Sequence, residues 1–157
     1  MKKIYIMLIV FLAANAYSQS DSLDTQTMSN KHKKYDNLMT VGIYAASIIL
    51  NGVGDGLNNS NHKTAGHVVN ALSIGMLVAS PFLMDYDKKK WYWYLLTYTS
   101  LRIGLFDSTY NLTRKLPIGY TGTTSPTDKF YNFLGLDPAI PRPLFLGIGI
   151  VIPLTKL

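Results

Sequence analysis

Residues 62–84 read HKTAGHVVNALSIGMLVASPFLM, and their interpretation decides the fold. Small side chains recur along this stretch, at Ala65, Gly66, Ala71, Ser73, Gly75, Ala79 and Ser80. Small residues let helix backbones approach closely, a habit of helices packed against one another in a membrane. Pro81 is expected to end or kink the helix, because its ring removes a backbone N–H and crowds the preceding turn. The segment before it, 36–54, reads DNLMTVGIYAASIILNGVG. Asp36 or Asn37 can accept its free N-terminal N–H groups, and Gly52, Gly54 and Gly56 are expected to break it. Between Leu38 and Leu50 only Thr40, Tyr44 and Ser47 carry polar side-chain atoms. A helix that is apolar nearly all round belongs in a large core or in lipid.

The third segment, 91–106, reads WYWYLLTYTSLRIGLF and follows the charged connector DYDKKK. Trp and Tyr favour the boundary between water and lipid, where a ring and a polar N–H or O–H are both accommodated. Lysines snorkel just outside that layer. Lys88, Lys89, Lys90, Trp91, Tyr92, Trp93 and Tyr94 are therefore expected to mark a membrane interface. Residues 107–143 are rich in Gly, Pro, Ser and Thr and read as loops, with room for a short helix near 126–134. In the apolar segment 144–157, Leu146, Ile148, Ile150 and Ile152 alternate with Gly147, Gly149 and Val151. That alternation suits a strand better than a helix, yet no second strand is visible to pair with it. There are too few alternating stretches for an outer-membrane barrel.

The chain has 157 residues, with 48% hydrophobic and 15% charged residues. Soluble domains carry about 25% charged residues, so a heavily solvated surface is not expected. One domain of this size cannot easily surround three apolar helices with protein. The expected fold is all-α: a small helical membrane protein of about three apolar helices, a hairpin plus a third helix, with an irregular C-terminal region. Against the spanning reading stand Asn51, His67 and Asn70, which are costly in lipid unless they face protein.

The first residues, MKKIYIMLIVFLAANAYSQS, have the three parts of a secretory signal peptide. Lys2 and Lys3 are the positive start, 4–14 is an apolar run of eleven residues, and Ala14-Asn15-Ala16 and Ala16-Tyr17-Ser18 are small-x-small cleavage sites. The run falls short of the roughly 20 residues needed to span. Cleavage after residue 18 is expected, and it lowers the net charge from +6 to +4 because Lys2 and Lys3 leave with it. Much of the basicity is then an address, and a nucleic-acid partner loses support. Residues 19–35 read as a flexible polar tail, ending in Lys31-His32-Lys33-Lys34, a cluster able to contact anionic headgroups. With three spans, the 31–34 and 88–90 lysines would lie on one side and the 107–157 charges on the other, so the positive-inside rule gives no clear orientation.

The absence of Cys excludes disulfides, thiolate metal sites and a Cys nucleophile. All nine acids are Asp, so the commonest general acid/base carboxylate, Glu, is missing. No nucleophile elbow, zincin, Walker or Rossmann motif is present. Two polar groups remain. Asp55, His62, Lys63, His67 and Asn70 lie in or near the turn before the second segment, with Lys63, His67 and Asn70 on one helix face. Asp55, His62 and His67 are candidate ligands for a divalent metal, and His67, Asp55 and Asp107 are candidate acid/base residues. Otherwise His67 is a histidine satisfied by its neighbours. No other cofactor is expected. The second group is Arg102, Asp107, Asn111 and Arg114. Arg102 interrupts an apolar stretch and needs a carboxylate or several carbonyls. It is expected to pair with Asp55 or Asp107 as a staple, or with Arg114 to hold a phosphate or lipid headgroup.

Three functions compete. The first is a small bacterial cell-envelope membrane protein, a non-enzymatic subunit or scaffold of a larger assembly. Its partners would be the lipid bilayer and other envelope proteins, with the inner membrane as its site and the periplasm or an outer-membrane association as alternatives. The second is an envelope hydrolase or transferase acting on lipid or cell-wall material through the Asp/His group. The third is an exported soluble helical module that binds an apolar ligand.

Overall fold

The computed structural model describes residues 25–84, 86–122, 126–135 and 137–157. The expected signal peptide, 1–18, lies outside the described residues. The described residues form helices, and no strand occurs among them. Helix α1 spans Thr25–Asn58, α2 Lys63–Leu83, α3 Trp91–Thr113, α4 Pro126–Leu134 and α5 Pro141–Lys156, with a 3-10 turn at Lys88–Lys90 before α3.

Helix α1 is central. It packs against α2 on one side and α3 on the other; α5 packs on α3 and touches α1. Short turns reverse the chain from α1 to α2 and from α2 to α3, and the contacts of Gly104 with Leu146 and of Lys90 with Leu157 set α5 antiparallel to α3. The α1–α2 turn and the 114–140 segment therefore lie at one end of the bundle, and the α2–α3 connector at the other.

Three sequence expectations are corrected. Residues 25–35 of the expected flexible tail are helical, since α1 starts at Thr25. Extending an established helix adds one hydrogen bond per residue fixed, so a polar extension containing Gln26, Met28, Lys31, Lys33 and Lys34 continues it. Gly52, Gly54 and Gly56 do not break α1. They are contact points: a Cβ on Gly52 would sit 2.8 Å from the Phe106 carbonyl oxygen, and one on Gly54 3.0 Å from the Asn70 backbone nitrogen. The stop comes at Asn61, whose φ of 64° is a left-handed conformation that asparagine tolerates better than most residues. The alternating segment 144–157 is helical, within α5. Its glycine serves helix packing, because a Cβ on Gly149 would lie 2.9 Å from the Leu101 backbone nitrogen. Across that contact, Gly104 of α3 meets the backbone of Leu146 in the same way.

Helix α2 continues past Pro81 to Leu83. Pro81 cannot donate to the carbonyl of Leu77, four residues back. The Ser80 hydroxyl donates to that carbonyl instead, at 2.7 Å. Helix α3 likewise runs beyond the expected 106 to Thr113. It ends where Lys115 adopts φ 60° and the Leu116 N–H returns to the Asn111 carbonyl.

The interior mixes apolar and polar side chains: Tyr44, Ile48, Met84, Tyr94, Leu101 and Leu157 form a buried cluster. Between the helices lie Thr40, Ser47, Ser73, Thr97 and Ser100, all buried. Ser47 and Ser73 cross-link α1 and α2 reciprocally: each hydroxyl donates to the other's backbone carbonyl, at 3.0 and 2.7 Å. Outside, α2 exposes Val68, Leu72, Ile74, Val78 and Phe82, the last at 88%. Tyr35–Asn58 and Lys63–Leu83 are each long and apolar enough to cross a membrane, and of an apolar 18-residue stretch in each only 33% and 17% is buried by protein.

Candidate functional site

A chain of hydrogen bonds crosses three helices near the upper half of the bundle. The Arg102 guanidinium on α3 donates to Asn51 Oδ1 on α1 at 2.9 Å. Asn51 Nδ2 donates to Asn70 Oδ1 on α2 at 3.3 Å. Asn70 Nδ2 donates to Asp55 Oδ1, back on α1, at 2.7 Å. All four side chains are half-buried. Asn51 and Asp55 stand four residues apart, so one face of α1 carries both. The close contact at Gly54 brings α2 near enough for Asn70 to reach between them.

The orientation of both amides follows from the ends of the chain. A guanidinium only donates and a carboxylate only accepts, so each amide must present oxygen towards Arg102 and nitrogen towards Asp55. All three bonds point the same way, and aligned bonds polarise one another in a low-dielectric setting. The guanidinium also lies 4.4 Å from the centre of the Phe106 ring, a cation–π contact. The arrangement neutralises one positive and one negative group across three helices.

A second polar centre fastens α5 and the 114–122 segment to α3. Arg142 is buried, donates to the carbonyls of Ile118 and Tyr120, and pairs with Asp107 at 3.4 Å. Asn111 Nδ2 donates to the same two carbonyls, at 3.2 and 2.8 Å. The Gly122 N–H donates to Asp128 at the start of α4. Tyr131 of α4 is buried close by, and burial pushes its phenol above its ordinary pKa.

The sequence expectations for these residues are met only in part. Arg102 is a staple, but its direct partner is Asn51, and Asp55 is reached through Asn70. Asp107 pairs with Arg142 instead. Arg102 and Arg114 do not converge on an anion: Arg114 is exposed one turn beyond Tyr110, whose hydroxyl accepts from it at 2.9 Å. Twelve residues separate the two arginines along α3, about 18 Å of helix rise. Asp55, His62 and His67 do not gather into a metal site, and no group of three His or Asp residues among the described residues could hold a metal. The reason is helix phase. Asn70 points from α2 towards α1, whereas His67, three residues earlier and so about 60° round the helix, is exposed, and His62 is exposed in the turn. Replacing His67 with Ala is accordingly expected to change stability by less than about 0.5 kcal/mol and to leave metal content unchanged, measured by thermal melting in detergent and elemental analysis.

Two residues carry these centres without having been singled out as members. Asn51 was visible only as a polar interruption of an apolar helix, and Arg142 as one basic residue in a Pro-Arg-Pro stretch. The shared signal is a polar side chain within or beside an apolar run, which needs a partner.

No family model matches the chain, and comparison with curated proteins and with solved structures finds no match.

Proposed function

We propose that this chain is a small helical membrane protein of the bacterial cell envelope, seated in the inner membrane, and a non-enzymatic subunit or scaffold of a larger assembly. The observation that carries the reading is the apolar face turned outward while part of the buried interior is polar. Serine, threonine, glycine and asparagine lie between the helices, while Val68, Leu72, Ile74, Val78 and Phe82 face outward. In water, such an exposed apolar face is costly, since contiguous apolar patches beyond a few hundred Å² mark interaction surfaces. In lipid it costs nothing, and the interior hydrogen bonds then hold the helices together. The Ser80 bond to the Leu77 carbonyl fits the same setting, because a backbone carbonyl freed by proline finds no water in a bilayer.

The scaffold role is supported by what the polar residues do. Arg102 and Asp55 are linked through two amides, and Arg142 is consumed by Asp107 and two carbonyls. These groups hold helices and a loop. The signal-like start of the sequence supports export to the envelope.

The test is fractionation of cells, followed by an alkaline carbonate wash of the membrane pellet. The protein is expected to stay in the pellet and to need detergent for release. Recovery as a detergent-free monomer would overturn the membrane reading in favour of an exported soluble module.

A further inference from the structure

Lysine is distributed unevenly between the two ends of the bundle. Residues 25–157 contain ten lysines, and seven of them fall at one end: Lys31, Lys33, Lys34, Lys88, Lys89, Lys90 and Lys156. With three spans, the sequence already puts the 31–34 and 88–90 lysines on one side and Lys156 on the other. The fold gathers them. The first turns of α1 and the α2–α3 connector lie at the same end, and α5 runs back to it. Lys90 Nζ donates to the Leu157 carbonyl at 2.7 Å, and Lys156 Nζ lies 5.8 Å from the centre of the Trp93 ring. Asp36 and Asp87 belong to the same end, and Asp87 is engaged in capping the Lys89 N–H. At the opposite end Lys63, Arg114, Lys115 and Lys129 face Asp55, Asp128 and Asp137, close to balance.

Aromatic residues accompany the lysines. Trp91 and Tyr92 are exposed directly after Lys88–Lys90, and Tyr35 is exposed one residue after Lys34. A ring of Trp and Tyr beneath a layer of lysines matches the boundary between acyl chains and phosphates. Near a charged membrane surface each lysine contributes on the order of 1 kcal/mol of attraction.

We propose that this end of the bundle binds the anionic phospholipid headgroups of one leaflet, with the lysines on the phosphates and Trp91, Tyr92 and Tyr35 just below them. The proposal rests on the membrane reading above and adds a lipid class and a face. Because both tryptophans of the chain, Trp91 and Trp93, sit at this end, intrinsic fluorescence reports on it directly.

The experiment reconstitutes the full chain into phosphatidylcholine vesicles that contain equal mole fractions of either brominated phosphatidylcholine or brominated phosphatidylglycerol. Bromine quenches tryptophan on contact. The anionic lipid is expected to quench about twofold more strongly at low salt, and the difference should shrink as salt screens the surface charge. The variant with Lys31, Lys33, Lys34, Lys88 and Lys89 each changed to Gln should lose the preference, with its helix content checked by circular dichroism. Lys90 and Lys156 are left in place because they contact the Leu157 carbonyl and Trp93. Equal quenching by the two lipids in the native chain, or a preference that survives in the folded variant, overturns the proposal. Absence of quenching by either lipid overturns the membrane reading itself, and the proposal with it.

Discussion

Replacing Arg142 with Met is expected to cost about 3–5 kcal/mol, the largest loss from any single change considered, because it leaves a buried carboxylate without its counter-charge. Arg142 is 4% exposed and Asp107 13%. The guanidinium also holds the carbonyls of Ile118 and Tyr120, so α5, the 114–122 segment and α3 all lose a shared anchor. Asn111 continues to bond the two carbonyls, which limits the damage in that segment. The paired variant Arg142→Met with Asp107→Leu should recover part of the loss, since removing both charges also removes the burial penalty of the one left behind. Unfolding in detergent micelles, followed by helical circular dichroism across a denaturant series, measures both. If the single Arg142→Met variant unfolds like the native protein, Arg142 is not the anchor described.

The second large effect is expected at Asn51. Changing Asn51 to Leu removes the acceptor for Arg102 and the donor for Asn70 in one step. Each polar group left unsatisfied costs about 1–3 kcal/mol, and half-exposure places the total near 2–3 kcal/mol. Asn51→Asp should be milder. It keeps an acceptor for Arg102, now charge-assisted, but cannot donate to the Asn70 oxygen. The expected order of stability is native, then Asp, then Leu, read by the same unfolding series. A Leu variant as stable as the native chain would show that the three helices hold without this chain of bonds.

Helix class was legible in the sequence because apolar length and small-residue content are local properties. The segment 62–84 coincides with α2 within two residues, and segments 36–54 and 91–106 lie inside α1 and α3. Where the sequence misled, the residue in question was serving a neighbouring helix. Gly52 and Gly54 read as breakers because an isolated glycine weakens a helix. In place, their missing side chains admit Thr109 and Asn70, and packing outweighs propensity. Gly149 gave the 144–157 segment the look of a strand for the same reason, since a helix–helix contact and a strand alternation can share one glycine.

The polar centres were legible by composition and not by pairing. An arginine inside an apolar run announces that it needs a partner, and Arg102 was expected to have one. Which partner depends on the rotational phase of each helix about its axis. One residue of helix turns a side chain by about 100°, so His67 stands about 60° round α2 from Asn70, which faces α1; His67 is exposed and does not join Asp55 in a metal site. Sequence by itself therefore determined that the chain is helical and apolar, since these follow from residue type and local period. The tertiary structure alone decided that Arg102 reaches Asp55 through two asparagines, that Asp107 belongs to Arg142, and that Lys156 joins the 31–34 and 88–90 lysines at one end. Those contacts join residues 15 to 67 positions apart, and only the packing of whole helices fixes which side chains meet across such distances.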